Sequence, residues 1–100
     1  MSTASGDDAL FAGNVSASEH VLMQELPDQE LIFLNLRTES YFALAETGAR
    51  MYRVLIDAPS VGSAYERLLG EFNADPERLR TDLREFVGTL VNEGLVDLNG

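Results

Sequence analysis

The side chains capable of chemistry are few, and their spacing forms no catalytic set. His20 is the single histidine and cysteine is absent. Disulfides, thiolate catalysis and cysteine–zinc sites are therefore excluded, and one imidazole cannot build a histidine metal cluster. Ser40, Ser60 and Ser63 have no histidine base in a recognisable pattern. Gly6 and Gly13 fall near the N-terminus and Gly48, Gly62 and Gly70 are scattered, so no glycine-rich phosphate loop forms. Carboxylates are plentiful, but Glu66, Glu71, Glu77, Glu85 and Glu93 fall on polar faces of predicted helices, where charge is ordinarily solvated. His20 opens a strand and reads as a surface side chain rather than a general base. No catalytic residue, cofactor or metal site is expected.

Charge excludes further classes. The 100 residues carry 17 Asp and Glu against 7 basic residues, a formal net charge of −10, and every basic residue is arginine. A polyanion needs a cationic face that neutralises phosphates, so nucleic acid is a poor partner. An anionic membrane surface is excluded on the same ground. Apolar runs fall well short of the roughly 20 residues of a membrane span. The N-terminus lacks the basic and apolar regions of a signal peptide. The expectation is a soluble cytoplasmic protein.

The elements that must position any site read as follows. Residues 1–18 are rich in Ser, Ala, Gly and Asp without sustained periodicity, and are expected to form a disordered acidic tail. Six acids and neither lysine nor arginine precede Arg37. Residues 19–100 form the folded domain. Strands are predicted at 20–26, 31–36 and 41–44, separated by a Pro27-Asp28 turn and the polar break of residues 37–40. Residues 31–36 are almost wholly apolar, as for a central strand covered on most of its length. Helical periodicity then takes over. Ala49, Tyr52, Leu55 and Ile56 share a face that ends before Pro59. Ser60 caps a second helix carrying Val61, Ala64, Leu68 and Phe72. Asp75 caps a third, with Pro76 at its first position and Gly94 at its left-handed end, where Leu95 folds back. Residues 96–98 add a short extended end. Three strands followed by three helices make an α+β domain with helices on one face of an antiparallel sheet.

Two features point to binding. At about 100° per residue, the third helix carries an apolar arc about 140° wide from Phe86 to Val91, where a core face needs about 100°. One edge is flanked by Arg80 and Arg84, the other by Asp82 beside Phe86. The surplus either widens the core face or lines a groove. The third strand, Tyr41-Phe42-Ala43-Leu44, lies at a sheet edge and carries neither charge nor proline. Its unpaired backbone groups are open to strand addition by an extended peptide, unless the N-terminal tail covers them.

These residues resemble the PqqD family. The resemblance lies in Leu34-Asn35-Leu36-Arg37-Thr38-Glu39-Ser40-Tyr41-Phe42-Ala43-Leu44, in Thr47-Gly48-Ala49-Arg50-Met51-Tyr52, and in Asp75-Pro76-Glu77, Asp82, Phe86, Leu90 and Gly94-Leu95. It covers about residues 20–98. It departs at Ser40, where glycine is frequent, at Ala45, where an asparagine can cap the first helix, and at Tyr52, where tryptophan is usual. Thr47 is then expected to supply the cap. The resemblance implies a winged-helix-like fold that recognises the leader segment of a ribosomally made precursor peptide. The leader would bind between the third strand and the third helix and be presented to a modifying enzyme: a leader peptidase, a cyclase or a radical-SAM protein. Members of about this length occur in lasso-peptide pathways.

The expected site is therefore the edge residues Tyr41, Phe42, Ala43 and Leu44, with a cleft of Leu79, Leu83 and Val87 rimmed by Arg80 and Arg84. Asp82 and Phe86 line the alternative edge. A winged-helix transcription regulator is the rival reading. It needs a basic recognition helix, and here Arg78, Arg80 and Arg84 are countered by Glu77, Asp82, Glu85 and Glu93.

Overall fold

The computed structural model describes residues 5–99. Its elements are α1 (Ser5–Ala12), β1 (Asn14–Ala17), β2 (Val21–Glu25), β3 (Leu31–Asn35), β4 (Ser40–Leu44), α2 (Glu46–Asp57), α3 (Val61–Phe72), α4 (Pro76–Asn92) and β5 (Val96–Asn99). β2, β3 and β4 form an antiparallel meander in that order, and β1 pairs with β5 in a separate two-stranded ribbon. The three strands and three helices expected from the sequence are all present.

Residues 5–17, expected to be disordered, instead hold α1 and β1; residues 1–4 lie outside the described residues. Two apolar side chains account for the order. Phe11 and Val15 are both buried in the core. The phenylalanine meets the Tyr65 ring edge-on, 5.8 Å between centroids. β1 is completed by β5, with Val15 opposite Leu98 and Ala17 opposite Val96. Gly13 permits this approach, because a Cβ there would stand 2.6 Å from the Asn99 carbonyl oxygen.

The helices cover one face of the meander. Leu31 and Phe33 of β3 are fully buried against them, and Phe33 packs edge-on against Tyr52, 5.0 Å between centroids. Burial raises the Tyr52 phenol above its ordinary pKa. The opposite face is bare, so β3 is covered on one side only, not on most of its surface as its apolar run implies. Ile32 and Leu34 point there and remain half-buried.

Helix ends follow local chemistry. The Ser60 hydroxyl accepts from the Ser63 N–H at 3.0 Å, and the Asp75 carboxylate accepts from the Arg78 N–H at 3.0 Å. Gly94 is left-handed with φ of 74°. The Leu95 N–H donates to Leu90 and the Gly94 N–H to Val91, closing a Schellman turn. α2 departs from expectation: Ala45 is its N-cap, with no side-chain cap, and Thr47 lies inside the first turn.

Asn35 ties the sheet to α4. Its Oδ1 accepts from the Arg37 N–H at 2.9 Å and the Thr38 N–H at 3.2 Å, shaping the β3–β4 turn. Its Nδ2 donates to the Glu93 carbonyl at 3.1 Å, at the end of α4. A single buried side chain thus fixes where β4 begins relative to the last helix.

Candidate functional site

The site begins with the hydrogen-bond phase of the meander. The Leu36 N–H donates to the His20 carbonyl and the Leu26 N–H to the Glu30 carbonyl, each at 2.8 Å. In an antiparallel sheet, alternate residues of a central strand bond to opposite neighbours. Ile32 and Leu34 therefore bond to β2, while Leu31, Phe33 and Asn35 bond to β4. Their register partners on β4 are Leu44, Phe42 and Ser40. The N–H and C=O groups of Tyr41 and Ala43 consequently point away from β3, along the open edge. Two residues thus offer two donors and two acceptors to an added strand.

The side chains alternate across the same strand. Tyr41 and Ala43 stand on the bare outer face, opposite Leu34 and Ile32, and Tyr41 is 73% exposed. Phe42 and Leu44 turn toward the core; Phe42 is half-buried and Leu44 buried.

α4 runs beside this edge, and the rotation of the helix decides which residues meet it. A Cβ on Gly48 would lie 3.3 Å from Leu44 Cδ2 and 3.7 Å from Phe86 Cε1. Phe86 thus approaches the last residue of β4, while the Asn35–Glu93 hydrogen bond holds the later part of α4 to the strand's start. The half-buried Phe86 ring and the exposed Asp82 one turn before it form the flank toward β4.

On the other flank, the residues expected to line a cleft are buried among the described residues. Leu79, Leu83 and Val87 are 4%, 0% and 1% exposed and belong to the core. Arg80 lies over the Phe11 ring at 4.2 Å from its centroid. Arg80 and Arg84 stand about 120° and 160° round the helix from Phe86 at 100° per residue. The N-terminal segment, expected to be disordered, occupies that side of α4. Of the expected residues, the structure brings together Tyr41, Phe42, Ala43 and Leu44 with the alternative pair Asp82 and Phe86.

Elsewhere three arginines of α2 and α3 are paired with carboxylates. Arg50 grips Glu71 with two hydrogen bonds of 2.6 and 2.8 Å, and Arg67 binds Asp57 at 3.1 Å. The hydrogen bond from Arg50 holds the Glu71 carboxyl below its ordinary pKa and raises the guanidinium. Arg53 reaches Glu25 at 3.0 Å. The depression of about 260 Å³ between these residues is thus lined by neutralised arginines. Among the described residues, no cluster of His, Cys, Asp or Glu could hold a metal ion, and no helix is long and apolar enough to cross a membrane.

A three-stranded meander followed by three helices, with one strand edge left open beside the last helix, defines a small α+β domain. The chain belongs to the family of coenzyme PQQ synthesis protein D (PqqD), whose family model matches residues 30–96. It is similar to TbiB1, solved in complex with the TbiA(beta) leader peptide, at 27% identity and a TM-score of 0.74, covering 82% of this chain and 94% of that one. A lasso peptide synthetase B1 complexed with its leader peptide shares the fold at 18% identity and a TM-score of 0.74, covering 84% and 98% of the two chains. No curated protein gives a significant match.

Proposed function

We propose that this chain is a non-catalytic recognition element of the cytoplasm that binds the leader of a ribosomally made precursor peptide, of the lasso class, and presents it to a modifying enzyme. The leader adds as a fourth strand on β4. The backbone groups of Tyr41 and Ala43 set its register, and its core-facing side chains enter the gap between β4 and the Asp82–Phe86 flank of α4. The observation that carries this reading is the open, uncharged β4 edge beside Phe86 in a PqqD-family chain similar to a leader-bound protein. Nothing favours a transcription regulator: Arg80 is engaged with Phe11, and Arg78 lies 3.9 Å from Asp82.

Ala43→Pro tests the reading. The Ala43 N–H points outward, so proline removes a donor from the edge without breaking the β3–β4 ladder. The variant should fold normally by circular dichroism and lose about 1 kcal/mol or more of leader affinity in calorimetry, from the lost bond and the ring's bulk at the edge. Unchanged affinity in the folded variant would remove β4 from the site.

A further inference from the structure

The backbone edge of β4 repeats every two residues, so hydrogen bonding alone lets an added strand slip by two residues and bond again. Side chains must fix its register. The Ser40 end of the groove carries two that are placed against local preference. Glu39, in the β3–β4 turn, is left-handed with φ of 61°, a region that residues with a Cβ resist. Glu93 is the C-cap of α4, whose last turn holds no basic residue. A carboxylate there opposes the negative end of the helix dipole. Both acids are exposed, and neither has an ion-pair partner among the described residues. Departures of this kind, when they converge, mark functional positions.

Asn35 brings the two together. Its carbonyl accepts from the Glu39 N–H at 2.7 Å, and its Nδ2 donates to the Glu93 carbonyl at 3.1 Å. Asn35 itself stands opposite Ser40 in the ladder. At about 100° per residue, Glu93 lies about 20° round the helix from Phe86 and two turns on, so both share the flank toward β4. Cations near this end are few. Arg37 is exposed in the same turn as Glu39, and the His20 Nε2 would stand 3.8 Å from a Cβ on Gly94. Arg37 sets one charge against two carboxylates and the helix dipole, so the end stays negative. The Leu44 end is balanced: Asp82 lies 3.9 Å from Arg78, and Glu46 complements the α2 N-terminus. Resting on the leader reading above, we infer that Glu39 and Glu93 select a leader with a lysine or arginine at the Ser40 end of β4, and that this cation fixes the register of the added strand. The open edge is the site, and the carboxylates decide which strand it accepts.

The test is fluorescence anisotropy at about pH 8, where an imidazole is ordinarily neutral, with the full chain and a labelled synthetic leader of its cognate precursor. Glu39→Gln and Glu93→Gln should each weaken binding about two- to five-fold, and the double variant about tenfold, as for exposed ion pairs. Wild-type affinity should fall between about 50 and about 500 mM salt, and the double variant should lose most of that dependence. Replacing the leader's lysines and arginines by glutamine, one at a time, should find one position whose loss matches the double variant and adds nothing to it. Glu39→Gly removes the strain and the carboxylate together. It should unfold at or above the wild-type temperature yet still bind weakly, a split that a merely structural Glu39 would not give. Arg37→Gln should bind the leader at least as tightly as wild type. Carboxylate variants that bind like wild type would overturn the inference, as would a leader whose cations can all be replaced without loss. So would Arg37→Gln weakening the leader as much as Glu39→Gln, because the groove end would then hold an acid. A leader that fails to bind wild type at any salt would instead sink the leader reading, and the inference with it, before any variant is made.

Discussion

Replacing Asn35 with alanine isolates the joint that holds the β4 edge against α4. Asn35 is 3% exposed and makes three hydrogen bonds, to the Arg37 and Thr38 amides and to the Glu93 carbonyl. The two amides lie in an exposed turn and recover water, so each loss costs about 0.5 kcal/mol, whereas the Glu93 carbonyl loses a part-buried partner at about 1–1.5 kcal/mol. Asn35→Ala should therefore destabilise the fold by about 2–2.5 kcal/mol. For a domain this size that lowers Tm by roughly 10–15 °C. Thr38→Ala is the control: it removes only an exposed hydroxyl contact to Ser40 and should stay within about 0.5 kcal/mol of wild type. Denaturant and thermal unfolding by circular dichroism measure both. Leader affinity should fall with Asn35→Ala although the residue touches no leader, because the groove walls lose their common tether. An Asn35→Ala protein within about 0.5 kcal/mol of wild type would refute the reasoning.

Gly94→Ala should cost about 1–2 kcal/mol in chemical denaturation, since its φ is 74° and alanine resists the left-handed region. The added Cβ would also stand 2.9 Å from Asn35 Nδ2, so its effect and that of Asn35→Ala should be less than additive. Arg80→Ala should loosen α1, costing about 0.5–1 kcal/mol through the lost cation–π contact, and leave leader affinity unchanged in calorimetry. Phe86→Asp should do the reverse to the leader, weakening it strongly in a protein that still folds. In the Arg50–Glu71 pair, the carboxyl is held below its ordinary pKa. Its contribution is therefore present above the ordinary carboxylate range and lost as pH falls through the lowered value. Arg50→Gln should move the Glu71 titration upward by NMR.

Much of the architecture is legible locally because its signals are local. Ser60, Asp75 and Gly94 mark helix ends through bonds spanning a few residues, and the apolar periods of α3 and α4 follow from the helical repeat. What the sequence concealed depends on distant partners. β1 looks structureless because β5, which completes it, lies at the other end of the chain. That omission bears on how α4 reads. With α1 and Phe11 unseen, the Arg80 flank looked open and the wide arc looked like a cleft, yet Leu79, Leu83 and Val87 are needed to seal the core. The Phe86 flank is the alternative edge, and the meeting of Gly48, Leu44 and Phe86 is what supports proposing it. The outer face was missed for a related reason. A continuous apolar strand reads as covered on both sides, and nothing in residues 31–36 says that the helices cover one.

The most direct test of strand addition is amide hydrogen exchange by NMR, residue by residue, with and without the leader. The phase of the ladder makes the expectation specific. On β4, the Phe42 and Leu44 amides already bond to β3 and should change little. The Tyr41 and Ala43 amides face the open edge and should become protected when the leader binds. The far edge offers the internal comparison: the Met23 and Glu25 amides of β2 should stay unprotected. New protection at Tyr41 and Ala43 alone is the predicted result. Protection appearing at Met23 and Glu25, or leader binding that leaves Tyr41 and Ala43 exchanging freely, would contradict the account.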